Sequence, residues 1–207
     1  LKSSDVVKLQ LILPGVTALP GEAEGQSGAT PPYGQTDADP TPQVAGSTFT
    51  VTVNAVDPYW NIVSTAVTVR LQADKSDANI TPSAERNTEE GKTTFDIRLD
   101  IADPNRRISV IHTAGLLTDA TKYLVVNATT AVKLQLLFAG ETRAPATSSG
   151  KEGTPITQTV GVSTLVTVNL VDRFWNINSL APVPSVIITS TANYFGVSGD
   201  ILSGAVS

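Results

Sequence analysis

Two carboxylate–amide pairs stand at the same spacing in this chain: Asp57 with Asn61, and Asp172 with Asn176. An Asp-x-x-x-Asn pair brings two oxygens into one turn, the beginning of a calcium site. Calcium takes about six to eight oxygens, so each pair needs neighbouring carbonyls to complete a site. Calcium is the one cofactor the sequence leaves open. The more economical reading is an Asx turn, in which Asp closes a strand end and Asn tolerates the bend. Each pair brackets two adjacent aromatics, Tyr59-Trp60 and Phe174-Trp175. Exposed on one face, such rings stack on sugars or anchor an interface. Recurring in both places, they read as packing that closes the end of a module or meets its neighbour.

The remaining reactive groups do not form a catalytic set. His112 is the only histidine and stands in an apolar run. Glu89-Glu90, Asp100 and Asp103 are carboxylates in turn-rich stretches, and glycoside hydrolysis needs two of them across a cleft. No nucleophile elbow, phosphate loop or zinc-binding histidine pair occurs. No catalytic residue and no metal ligand set is therefore assigned, and an enzyme is not expected. Lys8 and Asn127 fall on the first and last strands of one module, the arrangement of a core crosslink. However, alternation places Lys8 opposite Val7, Leu9 and Leu11, towards solvent. Asn79-Ile80-Thr81, preceded by Asp77, and Asn127-Ala128-Thr129 are glycosylation sequons.

The elements that carry these residues are duplicated. Val7 to Leu11 (VKLQL) returns as Val132 to Leu136, 125 residues later. Thr50 to Ile62 (TVTVNAVDPYWNI) returns as Leu165 to Ile177 (LVTVNLVDRFWNI), 115 residues later. Such periodic self-similarity marks a tandem array of modules. The change of offset places about ten extra residues in the first copy, within the Gly/Pro-rich stretch 26–39, which reads as loop. From Trp60 the first copy runs on to Asn127, whereas only 32 residues follow Trp175. The second copy is therefore expected to lack about half of its later strands. The linker Ala128 to Ala131 is short, which predicts restricted motion between modules.

Composition excludes several classes of function. Hydrophobic residues make up 41 % of the chain, enough for packed cores. The net charge is −5, and no basic cluster exceeds Arg106-Arg107, so a nucleic-acid partner is not expected. No apolar run approaches the ~20 residues of a membrane helix. Without cysteine there are no disulfides or thiolate metal sites.

Period-two alternation recurs along the chain, with apolar sets Val7/Leu9/Leu11/Leu13, Phe49/Val51/Val53/Ala55, Val67/Val69/Leu71, Phe95/Ile97/Leu99, Ile108/Val110/His112 and Tyr123/Val125/Asn127. This is the pattern of half-buried strands. Turn chemistry at Asp57-Pro58, Thr81-Pro82, Glu90-Gly91, Asp103-Pro104 and Ala114-Gly115 separates them. Six or seven short strands in ~125 residues predict an antiparallel β-sandwich. In the second copy, strands are expected at about 132–138, 164–171 and 185–190.

Thr48 to Asp57, followed by Trp60-Asn61-Ile62-Val63 and Val67-Thr68-Val69, resembles the immunoglobulin-like repeats of bacterial surface proteins of the invasin and intimin type. Trp60 and Trp175 stand where that family has glycine. The resemblance implies an all-β fold of tandem immunoglobulin-like antiparallel β-sandwiches, the first over 1–128 and an incomplete second over 129–207. It also implies a structural role in an extracellular bacterial stalk, adhesin or filament. Neighbouring modules, copies of the chain, a surface glycan or a host protein are the implied partners. The rival reading is a carbohydrate-binding sandwich attached to a secreted enzyme. An unfinished sandwich exposes strand edges, which a neighbouring strand can fill by β-augmentation; the apolar segment 6–13 is a candidate donor.

Overall fold

The structure, a computed structural model, describes residues 5–21, 33–179 and 184–186. Every regular element among them is a β-strand. The chain divides into two compact units, Leu1–Asn127 and Ala128–Ser207.

The first unit is a β-sandwich of two sheets. One sheet has the order β1-β3-β7-β5, from β1 (Lys8–Ile12), β3 (Thr48–Val56), β7 (Lys92–Arg98) and β5 (Asn79–Thr81). The other has the order β2-β9-β8-β4-β6, from β2 (Gln43–Val44), β9 (Ala120–Asn127), β8 (Asp103–His112), β4 (Thr68–Ala73) and β6 (Glu85–Asn87). All pairings are antiparallel except β2 with β9, which is parallel. Alternation explains the packing. Leu9, Leu11, Val51, Val53, Phe95 and Ile97 from the first sheet meet Val69, Leu71, Ile108, Val110, Leu124 and Val126 from the second, and all are buried. Burying such side chains contributes about 1.5–3 kcal/mol each.

Three strand-level expectations need correction. Sequence alternation turns Tyr123, Val125 and Asn127 of the last strand inward. Leu124 and Val126 point inward instead, and Tyr123 is half-exposed. Leu124 opposite Arg106 fixes this parity, and it buries the more apolar of the two sets. Lys122 shares the inward side, where burial pushes its pKa down. Asp103-Pro104, expected as a turn, opens β8, with a bulge between Asp103 and Arg106. The short strands β5 and β6 flank the Thr81-Pro82 turn and carry too few residues for alternation to register.

The second unit repeats the first two long strands. β10 (Lys133–Phe138) pairs antiparallel with β13 (Val166–Val171), and a small hairpin joins β11 (Glu141–Arg143) to β12 (Lys151–Gly153). The strand expected at 185–190 lies largely outside the described residues, as does 26–32 of the proline-rich stretch.

Candidate functional site

The Asp-x-x-x-Asn segment forms the same closed turn in both units. Asp57 Oδ1 accepts the amide N–H of Tyr59 at 2.8 Å and of Asn61 at 3.0 Å, and Oδ2 accepts Asn61 Nδ2–H at 3.1 Å. Asp172 Oδ1 accepts the amides of Phe174 and Asn176 at 2.8 and 2.9 Å. Its Oδ2 accepts Asn176 Nδ2–H and the Thr129 amide, each at 3.0 Å. The groups converging on each carboxylate are N–H donors, the geometry of an Asx turn and not of an oxygen cage. Both aspartates are fully buried.

The turn forces its tryptophan into the left-handed region, with φ 64° at Trp60 and 69° at Trp175. A bulky side chain is rare there. A contact repeated in both units holds the ring. A Cβ built on Gly34 would lie 2.2 Å from the Trp60 ring, and one on Gly150 would lie 2.1 Å from the Trp175 ring. Each glycine is therefore a seat that only a hydrogen side chain permits. Lys8 Nζ stands 3.6 Å from the Trp60 centroid and Lys133 Nζ 3.4 Å from that of Trp175. Each ammonium also donates to the turn, Lys8 to the Pro58 carbonyl at 3.2 Å and Lys133 to that of Arg173 at 3.1 Å. Lys8 is thus not simply directed to solvent; it lies across an indole.

Beneath the rings runs a buried amide relay. Gln10 Nε2–H donates to the Gly34 carbonyl at 2.6 Å, and Asn54 Nδ2–H donates to Gln10 Oε1 at 2.8 Å. Gln135, Gly150 and Asn169 repeat both bonds at the same distances. Gln10, Asn54, Gln135 and Asn169 are buried although alternation turns them away from the apolar face of their strands. A covering hairpin makes the difference. Ala18 bridges Gln35 in the first unit as Arg143 pairs with Lys151 in the second. Residues 34–36, expected as loop, are therefore part of the seat. The sequence carried a signal for this: Gln10/Gln135 and Asn54/Asn169 recur inside the repeated blocks, which solvent-facing residues need not do.

A second buried cluster belongs to the first unit. The Arg106 side chain is fully buried. It donates to Asp74 Oδ1 at 2.9 Å, to Asp77 through two nitrogens at 3.0 and 2.7 Å, and to the Ile101 carbonyl at 2.7 Å. Asp77 Oδ2 also accepts the amides of Asp100 and Ile101, at 2.8 and 2.6 Å. Burial pushes the Asp77 pKa up, but the Arg106 hydrogen bonds and the two amides outweigh it, so the carboxyl lies below its ordinary value. Burial likewise works against the Arg106 charge, and the two aspartates more than restore it. Asp103 is held low chiefly by its hydrogen bond from Lys75, at 2.6 Å.

The other sequence-singled groups stay apart. His112 Nδ1 accepts the Leu116 amide at 3.2 Å. Glu89 and Lys92 bond through their backbones around Glu90-Gly91, with φ 50° and 79°, a two-residue hairpin turn. Asp100 pairs with Arg98. Asn79 lies exposed on β5, and Asn127 lies exposed at the end of β9. Among the described residues no group of three or more His, Asp or Glu converges as a metal site.

No family model and no curated protein sequence matches the chain. Among solved structures it is similar to part of a glycosyl hydrolase family 2 member from Bacteroides cellulosilyticus, at 13 % identity and TM-score 0.38, over 60 % of this chain and 15 % of that one. It is also similar to domains 4 and 5 of the S-layer protein SbsC, at 16 % identity and TM-score 0.31, over 45 % and 49 % of the two chains. For SbsC domains 5–6 the values are 17 % and 0.31, over 76 % of each. The chain thus spans less than two thirds of the first two structures. Likenesses of this size carry no argument about activity, location or partners.

Proposed function

We propose that this chain is a non-catalytic structural segment of an extracellular bacterial surface protein, a stalk, adhesin or filament built from tandem immunoglobulin-like modules. The observation that carries this reading is what the duplication preserves. Lys, Gln, Gly, Asn, Asp and Trp recur at matching places, and each recurring side chain is engaged inside its own unit. In both units the same residues close the end of a sheet. A tandem scaffold needs this feature in every copy; a ligand site does not.

The carbohydrate-binding alternative requires free ring faces on the tryptophans. A lysine ammonium covers each ring, and the ring is seated on glycine, which favours the structural reading. Tyr59, half-exposed, is the aromatic left for an inter-module contact. Pulling the chain between its ends tests the proposal. If the first unit of 127 residues carries the pulling force, it should open in one step of about 400 Å. Glycan-array binding that vanished in both Trp60→Ala and Trp175→Ala would defeat it.

A further inference from the structure

In the first unit, β6 and β7 flank the Glu90-Gly91 turn yet belong to opposite sheets. β6 pairs with β4 and β7 with β3, and only the bridge between Glu89 and Lys92 closes the turn between them. β5 covers the outer edge of β7 at Asp96–Arg98 alone. Among the described residues no strand lies against that edge from Thr93 to Phe95. The fork leaves an open cavity of about 420 Å³, lined by Arg86, Glu89, Glu90, Lys92, Thr93 and Thr94. Arg86 stands in for the missing strand. Its Nη1–H donates to the Thr94 carbonyl, and its guanidinium carbon lies 5.9 Å from the Phe95 ring centroid. In an antiparallel ladder a residue turns its N–H and C=O to the same side, so the Thr94 N–H faces the same open edge.

Two features of this lining are unengaged. Thr93 is only 7 % exposed, and among the described residues its hydroxyl has no hydrogen-bond partner. It shares the inward side of β7 with Phe95 and Ile97, where valine would fill the space with no polar group to desolvate. The lining also holds two cations and two carboxylates. Elsewhere in the first unit Arg70 pairs with Glu85, Lys75 with Asp103 and Arg98 with Asp100. Arg86, Glu89, Glu90 and Lys92 form no ion pair among the described residues. We propose that this cavity binds a short peptide of the dipeptide class with both termini free. Its carboxylate matches Arg86 and Lys92, and its ammonium matches Glu89 and Glu90. Its extended main chain matches the Thr94 N–H and the Thr93 hydroxyl. The volume falls within the range of about 300–1,000 Å³ of small-molecule sites. No aromatic residue is among the lining side chains, which disfavours a sugar. The inference goes beyond the structural reading and does not depend on it.

The probe is glycylglycine, titrated into the 207-residue chain and followed by amide NMR. Saturable shifts are expected at amides of residues 86–94. N-acetylglycylglycine lacks the ammonium, and glycylglycinamide lacks the carboxylate. Each should bind at least about tenfold more weakly, a difference of about 1.4 kcal/mol. Lys92→Met, and Glu89→Gln combined with Glu90→Gln, change exposed side chains. Both should weaken glycylglycine binding severalfold without moving the urea midpoint. Thr93→Val should weaken binding too, yet leave the free chain at least as stable, because it removes an unpartnered hydroxyl. The amide spectrum of each variant reports its fold, and the capped-peptide arms need no mutation. No saturation by about 10 mM, beyond the millimolar class of affinity, would overturn the proposal. So would equal binding of free and capped peptides, or shifts confined to residues outside 86–94. A Thr93→Val chain less stable than the natural one would also overturn it, since the hydroxyl would then be engaged within the protein. None of these outcomes bears on glycan binding at the tryptophans or the pulling response, so failure here is distinct from failure of the structural reading.

Discussion

The ammonium of Lys8 stands 3.6 Å from the centroid of the Trp60 ring and donates to the carbonyl of Pro58 in the same turn. One side chain thus ties β1 to the far end of β3 by a cation–π contact and a hydrogen bond. Lys8→Met keeps the stem and removes the charge. It should destabilise the first unit by about 1 kcal/mol, read by urea unfolding of Trp60 fluorescence in a Trp175→Phe background. Lys133→Met should do the same for Trp175, leaving the first unit unchanged.

Trp60 occupies a conformation in which its own backbone is strained. Trp60→Ala removes the ring and keeps the positive φ, whereas Trp60→Gly removes the ring and relieves the strain. Both should be less stable than the natural chain, and the glycine variant should exceed the alanine variant by about 1 kcal/mol. That order reverses the one found at ordinary strand positions. Chemical denaturation of the two variants side by side checks it; alanine equal to or better than glycine would show that the turn relaxes.

Gly34 combines positive φ with a filled space, so its substitution separates strain from packing. Gly34→Ala places a methyl 2.2 Å from the Trp60 ring, whereas Gly115→Ala, at φ 69°, meets open space. Gly115→Ala should cost about 1 kcal/mol, from backbone strain alone. Gly34→Ala adds overpacking of about 1–3 kcal/mol and should blue- or red-shift Trp60 emission as the ring is displaced. Similar losses in both variants would mean the indole swings away freely.

The alternation of β4, β7, β8 and the first half of β3 is legible in the sequence because each has one wet and one dry face. The same rule places Gln10 and Asn54 in solvent, whereas the structure buries them. It treats polar as solvent-facing, and here a hairpin from a Gly/Pro-rich segment covers that second face. β9 failed for a related reason: Tyr123/Val125 and Leu124/Val126 are both apolar enough, and only pairing with the bulged β8 decides between them. Segment 6–13 was a candidate donor strand, yet β1 is hydrogen-bonded to β3 in its own unit. The Arg106 cluster left no local signal, since Asp74, Asp77 and Arg106 meet only when β4 and β8 lie side by side.

That cluster sets an acid limit for the first unit. The Asp77 pKa is lower in the folded chain than the ~3.9 of an unfolded aspartate, so the unfolded state binds the proton first. Its contribution is fully present above pH ~3.9 and is lost as pH falls through the folded value. Asp77→Asn removes the charge that Arg106 needs inside the protein. The loss should approach the 3–5 kcal/mol of a broken buried pair, discounted because Asp74 still contacts Arg106. The difference between Asp77→Asn and the natural chain should therefore be constant from neutral pH down to about 5 and then narrow below about 4. Arg106→Met leaves two carboxylates without their cation. It should be the more destabilising change at neutral pH and should recover on acidification, as protonation removes the uncompensated charges. Unfolding curves for the three proteins between pH 3 and 7 test this; parallel pH profiles would show that Asp77 titrates in the folded chain as it does in the unfolded one.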